Sequence, residues 1–282
     1  MSASGDPAQV VITGELDAVL TYRDLSDVAV QPRFVGGVQG ARTSDPCHGV
    51  AFFEGTPVDG RGAPRSIGWL ARAASRLLRR RRLAGSGAPG TDRYYARLHE
   101  SQGPKDILLE DARKLILGRP LARLPLPERV DPTVAEMKRE ARAGAVKESP
   151  LVPTILPMQI VRLGAVAIVC CPGEFTTVAG RRVRETVADA LEPAGVTDVL
   201  VLTYCNDYMG YVTTAEEYQQ QRYEGGHTIF GQWTLGAFQT VAAELAERLS
   251  TDRDHRPPDD GLRPPDPTWS ELDLRSNVAP RS

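Results

Sequence analysis

Glu174 is a carboxylate at the junction between a predicted strand and a predicted helix. Glu174 follows a run of apolar residues, 165–171, and precedes a helical pattern that begins near Thr177. Open α/β sheets bind their ligands beyond the carboxyl ends of the strands. A carboxylate at such a point can bind a metal, act as a base or cap the helix, and the residues alone leave these roles open.

A run rich in tyrosine follows the next apolar segment. Residues 206–224 (NDYMGYVTTAEEYQQQRYE) contain four tyrosines, at positions 208, 211, 218 and 223. A phenol can donate to an oxyanion, and beside a divalent cation it can ionise and bind the metal. Because both polar segments follow strand ends, they are predicted to converge on one pocket. The alternative is an ordinary surface helix, shared by Tyr218, Arg222 and Glu224.

Apolar periodicity predicts the elements that position these residues. Residues 159–171 predict a β-hairpin, and residues 177–191 predict a helix with apolar positions three and four apart. Residues 196–204 predict a second buried strand, and residues 234–249 predict a final helix with one apolar face. Strands that alternate with helices indicate an α/β or mixed α+β fold.

The first half of the chain is less regular. Residues 9–20 fit either a strand or a short helix, and residues 28–53 predict strands and turns, with a strand at 50–53. Residues 66–83 predict a basic amphipathic helix that ends in four arginines. That helix suits a membrane or phosphate surface, or a solvated helix end whose cations match the helix dipole.

Composition narrows the function classes. A net charge of −2 gives no overall attraction to nucleic acid, and no nucleic-acid partner is predicted. No CxxC pair is present, which argues against a zinc knuckle; Cys170 and Cys171 predict buried thiols, and a disulfide from Cys171 to Cys205 stays open. No segment approaches the ~20 apolar residues of a membrane span. The first residues show no signal-peptide pattern, and localisation is left undetermined.

Two long motifs resemble those of the neutral/alkaline non-lysosomal ceramidases. Residues 171–182 (CPGEFTTVAGRR) resemble the family signature PGEFTT-x-AGRR, and residues 211–224 (YVTTAEEYQQQRYE) resemble Y-[VI]-TT-x-EEY-x-x-QRYE. Shorter matches lie in the same order at residues 26–62, 101–105 and 153–159.

The extent of the resemblance implies a domain division. Residues 1–250 resemble the C-terminal part of a ceramidase catalytic domain, an incomplete one, with insertions near 66–95 and 119–150. Residues 251–282 are expected to form a disordered, Pro-rich tail.

The resemblance also implies a reaction and its residues. Neutral ceramidases are zinc-dependent amidohydrolases that cleave ceramide into sphingosine and a fatty acid. Their zinc is held by two histidines, a glutamate and a tyrosine; Glu174 and Tyr211 occupy the glutamate and tyrosine positions. Tyr223, in the QRYE motif, is expected to be catalytic and to stabilise the oxyanion. Zinc polarises the amide carbonyl and activates a water molecule.

The chain also departs from the family pattern. The motifs that carry the two histidine ligands are absent, as is the serine motif GD-x-SPN, and the four histidines, His48, His99, His227 and His255, match no ligand motif. Catalytic zinc takes three protein ligands. Three interpretations stay open: a gene fragment, one half of a split enzyme whose N-terminal half is carried by a separate chain, or a remnant. The remnant would be a non-catalytic form of the fold that binds lipid or a protein partner.

Overall fold

Strands and helices alternate in a mixed α/β fold. The computed structural model describes residues 12–56, 60–85, 87–120, 151–257, 259 and 261–266. Over these residues the strands are β1 (Leu16–Asp24), β2 (Cys47–Gly49), β3 (Gly55–Thr56), β4 (Gly60–Arg61), β5 (Ile107–Glu110), β6 (Leu115–Ile116), β7 (Arg119–Pro120), β8 (Ile155–Leu163), β9 (Val166–Cys170), β10 (Glu174–Phe175), β11 (Asp198–Leu202) and β12 (Tyr211–Val212). The α-helices are α1 (Val50–Phe53), α2 (Arg65–Leu83), α3 (Pro89–Gln102), α4 (Thr177–Leu191), α5 (Ala215–Gln219), α6 (Tyr223–Gly226) and α7 (Thr234–Ser250).

The main sheet has the strand order β1-β8-β9-β11. β8 and β9 form the hairpin predicted over 159–171, with Gln159 opposite Cys170 and the turn at Gly164, whose φ is +58°. β9 and β11 run parallel. A parallel pair needs a crossover connection, and α4 lies within that connection.

Helix α4 fixes the segment that carries Glu174. Its inward positions, Ala179, Val183, Val187 and Leu191, recur every four residues and are fully buried. Thr176 caps the helix by accepting a hydrogen bond from the backbone N–H of Ala179 at 3.3 Å. The short strand β10 is thereby held between the main sheet and the first turn of α4.

A second sheet has the strand order β2-β5-β6-β7 and packs with α2. Polar side chains join it to the segment near α6. Gln102 donates from Nε2 to the carbonyl of Ile229 at 2.8 Å, and the buried Lys105 donates from Nζ to the carbonyls of Cys47 and Thr228 at 2.9 and 2.7 Å. Burial lowers the pKa of Lys105 to about 7.

Two local predictions are corrected. Residues 50–53 form helix α1 rather than a strand, because the ladder between β2 and β5 shifts register at Gly49 and the chain turns to bury Val50 and Ala51. Tyr218 and Glu224 do not share a helix. Gln221, with φ of +46°, separates α5 from α6.

The first residues of the tail that was predicted to be disordered make defined contacts with the main sheet. Arg253 and Arg256 contact the carboxylate of Asp17 in β1 at 2.9 and 2.7 Å, so residues 252–257 pack against the main sheet. Residues 267–282 lie outside the described residues, as do residues 121–150 of the insertion predicted near 119–150. Within the described ranges the four cysteines are free thiols, and no helix has the length and apolar character needed to cross a membrane.

Candidate active site

Two short strands place Glu174 beside Tyr211. β10 and β12 pair in parallel, with Glu174 opposite Tyr211 and Phe175 opposite Val212. The register is held by backbone hydrogen bonds from the Glu174 N–H to the Gly210 carbonyl at 2.8 Å and from the Thr176 N–H to the Val212 carbonyl at 3.1 Å. Opposed residues of a strand pair share one face of the sheet, so the two side chains meet.

Three phenol groups surround the Glu174 carboxylate. The Tyr208 hydroxyl donates to Oε1 at very short range. The hydroxyls of Tyr204 and Tyr211 lie near enough to the carboxylate to help lower its pKa. Burial raises the pKa of Glu174, but the three hydroxyls together outweigh burial and lower that pKa below its usual value. The carboxylate is therefore ionised at neutral pH and held in one orientation.

A loop after β11 positions two of these phenols. The N–H groups of Tyr204 and Met209 donate to the carbonyls of Gly173 and Pro172 at 3.1 and 3.0 Å, which ties the loop to the residues just before Glu174. The rings of Tyr204 and Tyr208 stack with centroids 5.8 Å apart. Tyr208 belongs to the tyrosine-rich run that was predicted to share a pocket with Glu174, whereas Tyr204 was not predicted to lie there. The available signal for Tyr204 was its place just beyond β11, beside the strand that leads to Glu174.

Tyr211 is a neutral phenol in this arrangement. Burial and the neighbouring Glu174 carboxylate raise the pKa of Tyr211, in that order of size. The phenol therefore keeps its proton at neutral pH and faces the carboxylate as a neutral group.

Tyr223 lies against Tyr211. The two rings meet edge to face, with centroids 5.7 Å apart, and the Tyr223 ring also lies 5.3 Å from that of Phe52. Tyr223 begins α6, whose start follows directly from the break at Gln221. The structure therefore gathers Glu174, Tyr211 and Tyr223 in one neighbourhood, whereas Tyr218 is buried elsewhere and donates to the Gln102 carbonyl at 2.9 Å.

His227 closes the inner side of this cluster. Its ring lies 5.7 Å from that of Tyr211 and 4.1 Å from that of Phe52. Burial, followed by the charges of His48 and Lys105, lowers the pKa of His227 to about 3, so the imidazole is neutral at physiological pH. Its Nδ1 atom is shielded from solvent and has no hydrogen-bond partner among the described residues.

A buried pair lies behind His227. His48 Nδ1 and Asp111 Oδ2 are 2.9 Å apart, and the His48 ring lies 5.0 Å from that of His227. His48 comes from β2 and Asp111 follows β5, so their pairing depends on a strand register that the sequence alone did not indicate. The other two histidines lie apart, with His99 buried near Tyr95 and His255 exposed.

Glu174 and Tyr211 are chemically suited to bind a zinc ion, but they are two ligands where a catalytic zinc takes three. Glu174 and Tyr211 offer a carboxylate and a phenol oxygen in mutual contact, and both are hard oxygen donors. In the part of the chain that the structure describes, no three His, Cys, Asp or Glu side chains are grouped so as to hold a metal.

Comparison with known proteins identifies the family. Residues 135–240 match the family described as "Neutral/alkaline non-lysosomal ceramidase, N-terminal". The chain belongs to the neutral/alkaline non-lysosomal ceramidase family. The neutral ceramidase of Mycobacterium tuberculosis is 36% identical over 256 residues, which is 88% of this chain and 32% of the relative. That of Pseudomonas aeruginosa is 30% identical over 271 residues, covering 96% and 34%.

The solved structures that resemble this chain are also ceramidases. A structure titled "Ceramidase complexed with C2" superposes with a TM-score of 0.63 at 28% identity, covering 92% of this chain and 33% of that one. The neutral ceramidase structure from Pseudomonas aeruginosa gives a TM-score of 0.59, also at 28% identity, covering 90% and 31%. This chain thus spans about one third of the length of these ceramidases.

Proposed function

We propose that this chain supplies the Glu174 and Tyr211 side of a zinc-dependent amidohydrolase site that cleaves ceramide into sphingosine and a fatty acid. The observation that carries the proposal is the contact between these two side chains across β10 and β12, at the glutamate and tyrosine positions of the motifs. Relatives matched along most of the chain are named neutral ceramidases, which points to ceramide as the substrate.

Glu174 is suited to hold the cation. Its carboxylate is ionised, and the hydrogen bond from Tyr208 restricts its orientation before any metal arrives. Tyr211 adds a phenol oxygen on the same face of the strand pair. Zinc, when bound, supplies Lewis-acid polarisation of the amide carbonyl and lowers the pKa of a water molecule.

Tyr223 is suited to stabilise negative charge on the substrate. Its ring contacts the rings of Tyr211 and Phe52, which restricts the motion of the phenol next to the proposed ligand Tyr211. A fixed phenol donor directed at the amide oxygen stabilises the charge that develops there as the carbonyl is attacked.

The remaining site residues are proposed from the family resemblance alone. The described residues provide two ligands, and catalytic zinc needs at least one more protein ligand. Histidines and the serine of the GD-x-SPN motif would complete the site, whether on the same polypeptide or on a separate chain. Without them we expect the 282-residue chain to bind zinc weakly and to hydrolyse ceramide poorly.

A non-catalytic remnant is the second candidate. The shortage of metal ligands among the described residues favours it, because such a fold could bind a lipid or a partner without performing chemistry. The two candidates differ in whether Glu174 and Tyr211 still bind zinc when the rest of a ceramidase is supplied.

A chimera separates the candidates. This chain would replace the matched segment of the Mycobacterium tuberculosis neutral ceramidase, and zinc content and release of fatty acid from a fluorescent short-chain ceramide would be measured. We expect a zinc-containing, active chimera that loses both properties with Glu174→Gln but neither with Glu185→Gln, an exposed carboxylate on α4. A chimera that unfolds cooperatively yet holds no zinc and cleaves no ceramide would reject the proposal and favour the remnant.

A further inference from the structure

The inner face of α2 is fully engaged with the rest of the chain. Gly68 and Ser75 are buried there, and the arginines on this side are neutralised or hydrogen-bonded. Arg82 pairs with Glu110 at 2.6 Å, and Arg79 donates to the Gly103 carbonyl at 2.6 Å. Arg76 lies at the edge of this face, where it pairs with Asp106 at 2.9 Å although 66% of its side chain is exposed. Arg79 and Arg82 therefore serve the fold, and the charge of Arg76 is already paired.

The opposite side of α2 is apolar and exposed. Trp69 is 68% exposed, Leu70 61%, and Ile67 and Leu77 50% each. Leu70 and Leu77 are seven residues, or about two turns, apart and therefore lie on one side of the helix. We call Ile67, Trp69, Leu70, Leu77, Arg80 and Arg81 the outer face of α2. Isolated exposed leucines are ordinary, but Leu70 and Leu77 form a stripe with Ile67 on one flank and Trp69 on the other, and such a cluster marks an interaction surface.

The charge of the outer face has a single sign. Arg80 and Arg81 follow Leu77 by three and four residues, are exposed, and form no ion pair with any described residue. The helix contains no Asp or Glu along Arg65–Leu83. Apolar side chains with a tryptophan beside unpaired arginines are the composition of helices that lie in the interface of an anionic membrane.

We propose that the outer face of α2 docks this protein onto the surface of an anionic lipid bilayer. Ile67, Leu70 and Leu77 would enter the acyl boundary, Trp69 would lie at the level of the headgroups, and Arg80 and Arg81 would contact lipid phosphates. The proposal rests on the proposed function only in that ceramide is itself a bilayer lipid. The overall charge of −2 does not oppose it, because the arginines act locally within a Debye length of the surface.

Vesicles without ceramide test the proposal independently of hydrolysis. The 282-residue chain would be co-sedimented with vesicles of phosphatidylcholine alone and with vesicles in which about one third is phosphatidylglycerol, at low and high salt. We expect at least tenfold stronger partitioning to the anionic vesicles at low salt, weakened by high salt. The emission of Trp69, isolated by comparison with Trp69→Phe, should shift to shorter wavelength on binding.

Paired variants and matched controls separate the contribution of the arginines from that of the apolar side chains. Arg80→Gln with Arg81→Gln should weaken partitioning by roughly 20- to 30-fold, and Leu70→Gln with Leu77→Gln by at least tenfold. The controls make the same changes at exposed positions elsewhere, Arg33→Gln with Arg184→Gln and Leu200→Gln with Leu202→Gln, and should leave partitioning unchanged. All substitutions are at exposed side chains, so thermal unfolding should stay cooperative.

Three results would overturn the proposal. The wild-type chain could show no preference for anionic vesicles, or the paired outer-face variants could partition as well as the wild type. Alternatively, the outer-face variants could change the sedimentation mass of the lipid-free protein, which would identify a second copy as the occupant. Loss of ceramide hydrolysis in the chimera with vesicle binding intact would instead count against the proposed function and leave this inference standing.

Discussion

Glu174 shows how one side chain can be prepared for a cation before the cation is present. An isolated half-buried carboxylate would have a raised pKa, yet the hydrogen bond from Tyr208 and the nearby hydroxyls of Tyr204 and Tyr211 reverse that tendency. The same hydrogen bond limits the rotation of the carboxylate, which lowers the entropy lost when a metal binds. The feature that distinguishes this glutamate from a simple helix cap is therefore its ring of tyrosines, because Thr176 already caps α4.

The zinc affinities of Glu174→Gln and Tyr208→Phe show how much the charge of Glu174 and its hydrogen bond from Tyr208 each contribute to metal binding. In the chimera, Glu174→Gln should abolish zinc binding, since the amide has nearly the same volume but no negative charge. Tyr208→Phe removes only the hydrogen bond to Oε1, and partners of this kind typically cost ~10- to 100-fold in metal affinity. Competition with a fluorescent chelator gives both affinities. Equal zinc affinity in Tyr208→Phe and the wild type would show that the phenol does not orient the ligand.

Tyr223→Phe tests a different role at the same site. Zinc content should be unchanged, and kcat should fall by ~10²–10³, the usual effect of removing one oxyanion donor. The ring contacts with Tyr211 and Phe52 do not need the hydroxyl, so the fold should tolerate the change. A loss of zinc as large as that in Glu174→Gln would contradict the role given to Tyr223.

At the scale of elements, periodic segments could be predicted and the site loop could not. The β8–β9 hairpin and α4 were predictable because their buried positions recur at regular spacing. The loop that holds Tyr204 and Tyr208 places Tyr204 at φ of +56°, a conformation that is uncommon for a residue other than glycine, asparagine or aspartate. The loop is held by hydrogen bonds to Gly173 and Pro172, far away in sequence.

The site itself was predictable only in part, because its short strands and its buried pairs also depend on contacts between segments distant in sequence. β10 and β12 contribute two residues each, too few for any apolar period, so Glu174 and Tyr211 were indicated by strand ends and motif resemblance. The pairing of His48 with Asp111 depends on the register between β2 and β5, which no motif marked.

Gly210→Ala tests how tightly β12 is positioned. Gly210 has φ of +95°, and an added Cβ would lie 2.8 Å from His227 Nε2. Gly195→Ala is the matched control, since Gly195 has φ of +81° but no atom within 4 Å of the added Cβ. We expect the control to lose about 1–2 kcal/mol of unfolding free energy from backbone strain alone, and Gly210→Ala to lose clearly more. Urea unfolding measures both; equal losses would mean that His227 moves aside freely.

At the scale of the whole molecule, the main sheet joins chain segments that are distant in sequence. β1 pairs with β8, and the segment after α7 returns to β1 through Arg253 and Arg256. Asp17 is the shared anion of this junction and is nearly buried, with 12% of its side chain exposed. Hydrogen bonds from Arg256 are the largest cause that lowers the pKa of Asp17, with Arg253 adding to them.

Asp17 should therefore make stability depend on pH in a defined direction. Its pKa is lower in the folded chain than the ~3.9 of an unfolded aspartate, so its contribution is fully present above that value and is lost as the pH falls towards the folded pKa. Asp17→Asn should cost about 1–3 kcal/mol of unfolding free energy at neutral pH, and the gap from the wild type should narrow steadily below about pH 4. Asp189→Asn, at an exposed position on α4, is the control and should change little at any pH. Urea unfolding across this pH range gives the comparison, together with the rate of proteolysis after α7. A gap that stays constant down to the most acidic pH at which the chain is folded would show that the junction does not depend on the charge of Asp17.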